Sequence, residues 1–258
     1  MTRALLLFLI LWTSSTKLPA QNVTPEAAKK QLLLIPRKDS TYVNGLIKIS
    51  QSYLQVQIDS ALVYANRALS MAQKQNLPSQ LRIGYNVVGR AYYTKGLLDE
   101  ALYSFQQAEK YSKQCDQKSD LLKNQGNVYV EKGDPAKALE LYKRSLALSQ
   151  SCSDNGGIGL ALVNIGYVLR QSGKYDEAIH HLLSAIKIFE KANMKAPLGN
   201  GYIQLAVMQY RRKIYDDAAK YALAAKAVFT ELNQKGSVAM AYTILGGVAS
   251  EQSQYDVA

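Results

Sequence analysis

The sequence predicts an all-α fold, an α-solenoid of stacked antiparallel helix pairs, and three observations predict it. Small residues recur at Gly89, Gly126, Gly166, Ala206 and Gly246, at spacings of 37, 40, 40 and 40. A second series, Ala101, Ala138, Ala178, Ala218 and Ala258, follows twelve residues behind the first, mostly after an acidic residue, as in LLDEA, KYDEA and IYDDA. Apolar positions within each unit follow the 3.6-residue period and no strand-length stretch alternates with period two, so each unit reads as two helices.

Taken in order along the chain, residues 1–20 read as a cleavable secretory signal. Arg3 precedes the apolar run Ala4 to Trp12, and the small and polar stretch to Leu18, Pro19 and Ala20 follows it. Residues 21–40 form a leader segment, with Asp39 at its end. The repeats occupy 41–258, about five units plus a truncated sixth. A degenerate leading unit carries Leu46, Ile49, Ser50, Tyr53, Ala61 and Ala68.

Where the two helices of a unit cross, a small residue lets the backbones approach and a large one forces them apart. Gly96, Gly133 and Gly173 supply the left-handed residue that ends a first helix. Asp134 and Pro135 give the following helix an N-cap and a proline at its first position. The residues in excess of a short helix pair are expected in turns near 116–120, 153–159, 193–199 and 233–238, where Gly, Asn, Pro and Lys collect. Ala258 falls where a sixth unit's second helix begins. That leaves Tyr242, Leu245 and Val248 uncovered, so the encoded protein is expected to continue past Ala258.

These residues resemble the tetratricopeptide repeat (TPR) family. Its pattern of aromatic, Leu-Gly, Tyr, Ala, Phe and Ala is matched by Tyr85, Val88, Gly89, Tyr92, Ala101, Phe105 and Ala108. The next units carry Leu122, Gly126, Tyr129, Ala138, Tyr142 and Ser145, then Leu162, Ile165, Gly166, Leu169, Ala178, Leu182 and Ala185. A further one has Tyr202, Leu205, Ala206, Ala218, Ala222 and Ala225. The resemblance implies a right-handed superhelix; the period here, near 40, is longer than the family's usual 34.

The composition narrows function. The chain has 31 Lys and Arg against 20 Asp and Glu, a net charge of +11. This favours an acidic partner, through association rate more than affinity. No run after the signal is long and apolar enough for a membrane span. Most of the 18 tyrosines fall on repeat-core positions such as Tyr85, Tyr129 and Tyr202, so nucleic acid is not an expected partner. His180 and His181 have only Asp176 and Glu177 at ligand spacing and read as surface histidines, so no metal or other cofactor is expected. Gly156, Gly157 and Gly159 lack the strand and the Lys-Ser or Lys-Thr of a phosphate loop and read as a turn. No nucleophile with its base or paired catalytic carboxylate is placed, so these residues are not expected to form an enzyme. Cys115 and Cys152 read as equivalent positions of neighbouring units, about 10 Å apart and beyond the reach of a bridge, although an oxidising compartment favours one; their pairing stays open.

Stacked pairs present a concave surface lined by first helices, and the family's peptide and protein ligands commonly lie there. Counted from the motif, the groove-facing candidates are Asn86, Arg90 and Tyr93 in one unit and Lys123, Asn124 and Asn127 in the next. Asn164, Tyr167 and Arg170 follow in a third, and Gln204, Tyr210 and Arg211 in a fourth. Lys123, Asn127 and Asn164 match three positions of the carboxylate clamp of chaperone-binding members. Asn200 and Gln204 stand at the other two, so the clamp is incomplete. The expected protein is an exported, periplasmic or extracytoplasmic scaffold binding a peptide or protein. Signal and long repeats together resemble the sensor half of bacterial signalling proteins of the histidine-kinase type, whose output module lies beyond the repeats; a free-standing scaffold or assembly factor is the alternative.

Overall fold

The computed structural model describes residues 24–36 and 40–255, and within these every regular element is an α-helix. The signal segment 1–20 and Ala258 lie outside the described residues. Helix α1 spans Pro25–Leu32, α2 Ser40–Tyr53, α3 Ile58–Lys74, α4 Pro78–Thr94, α5 Leu98–Lys110 and α6 Cys115–Glu131. Then come α7 Pro135–Ser151, α8 Asn155–Gln171, α9 Tyr175–Lys191, α10 Lys195–Arg211, α11 Tyr215–Glu231 and α12 Lys235–Tyr255. Two compact units divide within α7, after Arg144.

The forty-residue period is two 17-residue helices and two three-residue turns, as in α8 to α11. The single spacing of 37 arises because α5 has only 13 residues and the turn after it, 111–114, has four. The residues expected in long turns near 116–120, 153–159, 193–199 and 233–238 instead lie mostly in the first turns of α6, α8, α10 and α12. Each three-residue turn has a left-handed middle residue. Gly96, Gly133 and Gly173 serve in this way with φ of 76–77°, and so do Asn76, Ser153, Asn193, Lys213 and Asn233. The N–H after it returns to a carbonyl in the last helical turn, Leu97 to Tyr92, Lys174 to Leu169 and Ile214 to Gln209, each at 2.9 Å, which satisfies otherwise orphaned carbonyls. Asp134 caps α7 by accepting from the Lys137 N–H at 2.9 Å.

The N-terminal unit holds α1 to α6 and the start of α7. Its core joins Val43, Leu46 and Ile49 of α2 to Ala61, Ala65 and Ala68 of α3 and Leu81 and Val88 of α4. The leader is not featureless. Helix α1 buries Ala28 and Leu32 in the same core, with Thr24 capping it. The crossing expected at Gly89 is present, since a Cβ there would lie 2.6 Å from Cε1 of Phe105; Gly126 faces the Tyr142 ring in the same way.

The C-terminal unit holds the end of α7 and α8 to α12, with Ile203, Ala225, Phe229 and Ala241 in one core cluster. At Gly166 a Cβ would lie 3.2 Å from the carbonyl oxygen of Ala178, whereas at Gly246 nothing stands within 4 Å. Gly156, Gly157 and Gly159 belong to the first turn of α8 rather than to a turn between helices. Gly159 faces the Phe189 ring and Gly199 that of Phe229, so close approach of aromatic rings outweighs the poor helix propensity of glycine. Of the three residues expected to be uncovered on α12, Tyr242 is exposed, Leu245 half-buried and Val248 buried.

Both cysteines are disulfide-bonded and neither is a free thiol. They do not occupy the equivalent positions assigned from the repeat count. Cys115 opens α6, whereas Cys152 follows the last turn of α7.

Candidate functional site

In both units the first helices of successive pairs pack directly on one another, α2 on α4 and α4 on α6 in the first, α8 on α10 and α10 on α12 in the second. The residues counted as groove-facing therefore sit along seams between first helices. Lys123, Asn124, Asn164, Tyr167, Arg170 and Gln204 are buried; Asn86, Arg90, Tyr93, Asn127 and Tyr210 are half-buried and Arg211 is exposed.

In the N-terminal unit these polar groups cross-link helices. Asn124 Nδ2 on α6 donates to Asn86 Oδ1 on α4 at 3.0 Å, and Gln80 Nε2 on α4 donates to Asn44 Oδ1 on α2 at 3.3 Å. The Tyr93 hydroxyl reaches Glu131 at 3.5 Å. Two of the three clamp-matching residues are engaged within the chain, Lys123 with Asp120 at 2.7 Å and Asn127 as acceptor for the Tyr142 hydroxyl at 2.6 Å. Arg90 makes no ion pair among the described residues, and burial pulls its pKa below the usual value. Arg82, one turn before Asn86 on the same face, was missed in counting from the motif. Burial lowers its pKa while Asp116 and Asp120 support its charge. Its spacing to Asn86 and Arg90, four residues each, was the available signal.

In the C-terminal unit Arg170 is 5% exposed on α8, with its guanidinium carbon 5.0 Å from the centre of the Tyr167 ring. Its Nε is buried without a hydrogen-bond partner. Burial lowers its pKa first and foremost; Tyr167 opposes this and Arg211 adds to it by repulsion. Gln209 of α10 donates to Asp217 at 3.0 Å while its Oε1 has no partner. The Tyr210 and Tyr215 rings lie 6.0 Å apart, and the Tyr215 hydroxyl donates to Glu251 at 3.2 Å. His180 and His181 make a ring contact at 6.0 Å on α9, away from these seams. Among the described residues no group of three His, Cys, Asp or Glu is arranged to hold a metal ion, and no helix is long and apolar enough to cross a membrane.

Paired 17-residue helices with Gly-to-aromatic crossings and a row of polar first-helix residues define a tetratricopeptide-repeat solenoid. The chain belongs to that family, residues 47–245 matching the MalT-like TPR region. Over 120 residues it is 30% identical to the photosystem I assembly protein Ycf3 of Prochlorococcus marinus, covering 45% of this chain and 67% of that protein. Two solved structures share the fold. BtubC from P. vanneervenii has a TM-score of 0.62 at 16% identity, over 78% of this chain and 89% of its own. A Rap protein complexed with competence and sporulation factor has a TM-score of 0.65 at 16% identity, over 89% and 70%.

Proposed function

We propose that the protein is an exported, non-catalytic scaffold that binds a peptide or protein along its first helices and forms the input part of a longer signalling protein. The observation that carries the binding role is Arg170, a buried cation on the first-helix face with no counter-ion among the described residues and a buried Nε without a hydrogen-bond partner. Holding such a group dry without a partner is unfavourable, and a ligand that supplies one recovers that free energy. The Rap protein complexed with competence and sporulation factor has this fold, and the reading carries ligand binding over from it. Export is supported by the signal-like segment 1–20 and by the disulfide-bonded cysteines, which persist in oxidising compartments.

A peptide array probed with the full chain tests binding. Bound peptides should lose about tenfold in affinity in Arg90→Ala and keep it in Lys187→Ala, an exposed second-helix control. Equal binding in both variants, or no binding, overturns the first-helix reading. Cell fractionation tests export, and recovery of the chain with its signal intact in the cytoplasm overturns it. A reading frame that continues past Ala258 into a membrane helix and an output module supports the signalling role; a stop codon there overturns it.

A further inference from the structure

Arg170 differs in kind from the other cations near the first helices. Lys123 has Asp120, Arg212 has Asp176 at 3.1 Å and Lys174 has Glu177 at 3.5 Å. The remaining acids of the C-terminal unit near these turns are also committed. Asp217 accepts from Gln209 and Asp216 from Gln252. Lys123 and Arg170 are equally buried, at 5% exposed, but Arg170 carries a partnerless Nε and makes no ion pair among the described residues. The charged group that bears on it is Arg211, which repels it. The Tyr167 ring lies against the guanidinium, and the Nε is covered without an acceptor.

We propose that Arg170 anchors a single carboxylate presented by a peptide lying along α8 and α10. This rests on the peptide-binding reading above and specifies its chemistry. A guanidinium edge offers two parallel N–H donors whose spacing matches the two oxygens of a carboxylate, and a single buried cation is matched by a single negative charge. Arg211, exposed at the end of α10, adds positive potential that steers an acid toward the site. The anchor lies at neither of the two clamp-matching residues already engaged within the chain, Lys123 and Asn127.

The test uses the isotope-labelled full chain, with the Arg170 Nε–H resonance assigned by its loss in Arg170→Lys. The peptide Ac-Gly-Glu-Gly-NH2 should shift that resonance saturably and Ac-Gly-Gln-Gly-NH2 should not. No shift, equal shifts from both, or an equal shift from inorganic phosphate overturns the carboxylate assignment. In parallel, acidic peptides selected on an array should bind at least about 30-fold more weakly to Arg170→Gln and Arg170→Lys, both checked for an unchanged circular dichroism spectrum. Lys retains the charge and loses the Nε edge, so equal binding to Arg170→Lys refutes the bidentate anchor. If array peptides bind the parent and both variants alike, the anchor fails and peptide binding stands. If no array peptide binds, the peptide reading itself fails, and the proposal with it.

Discussion

Gly89→Ala and Gly246→Ala make one chemical change at one repeat position, and the structure predicts opposite results. At Gly246 the added methyl group meets nothing within 4 Å. Alanine then gains only its helix propensity, about 0.5–1 kcal/mol. At Gly89 the same carbon would stand 2.6 Å from Cε1 and 2.7 Å from Cδ1 of Phe105, where unstrained carbons sit about 3.5–4.0 Å apart. Phe105 is 2% exposed and has no open side to turn into. Forcing a methyl group into such packing costs roughly 1–3 kcal/mol. The propensity gain is common to both variants and cancels between them, so their difference measures the crossing alone, about 2 kcal/mol. At roughly 2–4 °C per kcal/mol for a chain of this size, thermal melts of the two should separate by about 4–8 °C, Gly246→Ala melting above the parent. Phe105→Leu, which removes the ring edge, should recover part of the loss in the double variant, a non-additivity that contact predicts. A Gly89→Ala protein that melts as high as Gly246→Ala, or a strictly additive double variant, refutes the close-crossing account.

The turns give a second pair. Lys213 holds φ 61° and Gly173 φ 76° with nothing near its Cβ position, so Lys213→Gly should raise and Gly173→Ala lower stability, each by about 1 kcal/mol in urea unfolding. Alkaline pH tests Tyr202, whose hydroxyl donates to Glu190 at 2.7 Å and whose pKa is pushed up to about 12, first by burial and then by that hydrogen bond. The raised acid is still protonated in the folded chain while the unfolded one ionises, so its contribution is complete below pH 10 and lost as pH rises toward 12. Tyr202→Phe should flatten that part of the stability profile. Thiol titration of the unfolded, unreduced protein should find no reactive cysteine, and reduction should lower the melting temperature.

Much of the fold follows from local chemistry that can be read along the chain. Asp134 and Pro135 announce a capped helix, and the cap is formed. Gly96, Gly133 and Gly173 mark left-handed positions because only glycine takes them without strain. Asn193 and Asn233, in turns between units, fill the same role with a weaker signal, so the sequence places those turns several residues too late; Lys213, in a turn within a unit, fills it with none. Gly159 and Gly199 strengthened that error. They read as breakers, yet their function is to admit Phe189 and Phe229, partners thirty residues away that no local pattern reveals. Helix α1 carried readable signs, a Thr24 cap, Pro25 at its first position and Ala28 and Leu32 four apart, and lacked only the repeat motif that organised the remainder.

For the polar face, residue type and helical position were legible and burial was not. A motif count fixes which side of a helix Lys123 or Arg170 occupies. Whether that side meets solvent depends on how closely the next first helix approaches, a non-local quantity. The structure separates two kinds of residue that the count treats alike. Asn86 with Asn124, Lys123 with Asp120 and Asn127 with Tyr142 have partners within the chain, so replacing one removes a cross-link between or within helices. The Nε of Arg170 and the Oε1 of Gln209 are covered without hydrogen-bond partners, and covering them works against folding. A scaffold under no demand but stability would replace such groups with apolar ones at little cost. Their presence on the first helices of the C-terminal unit is what turns a row of compatible side chains into a candidate binding site, because only groups left unsatisfied in the free protein gain when a ligand arrives.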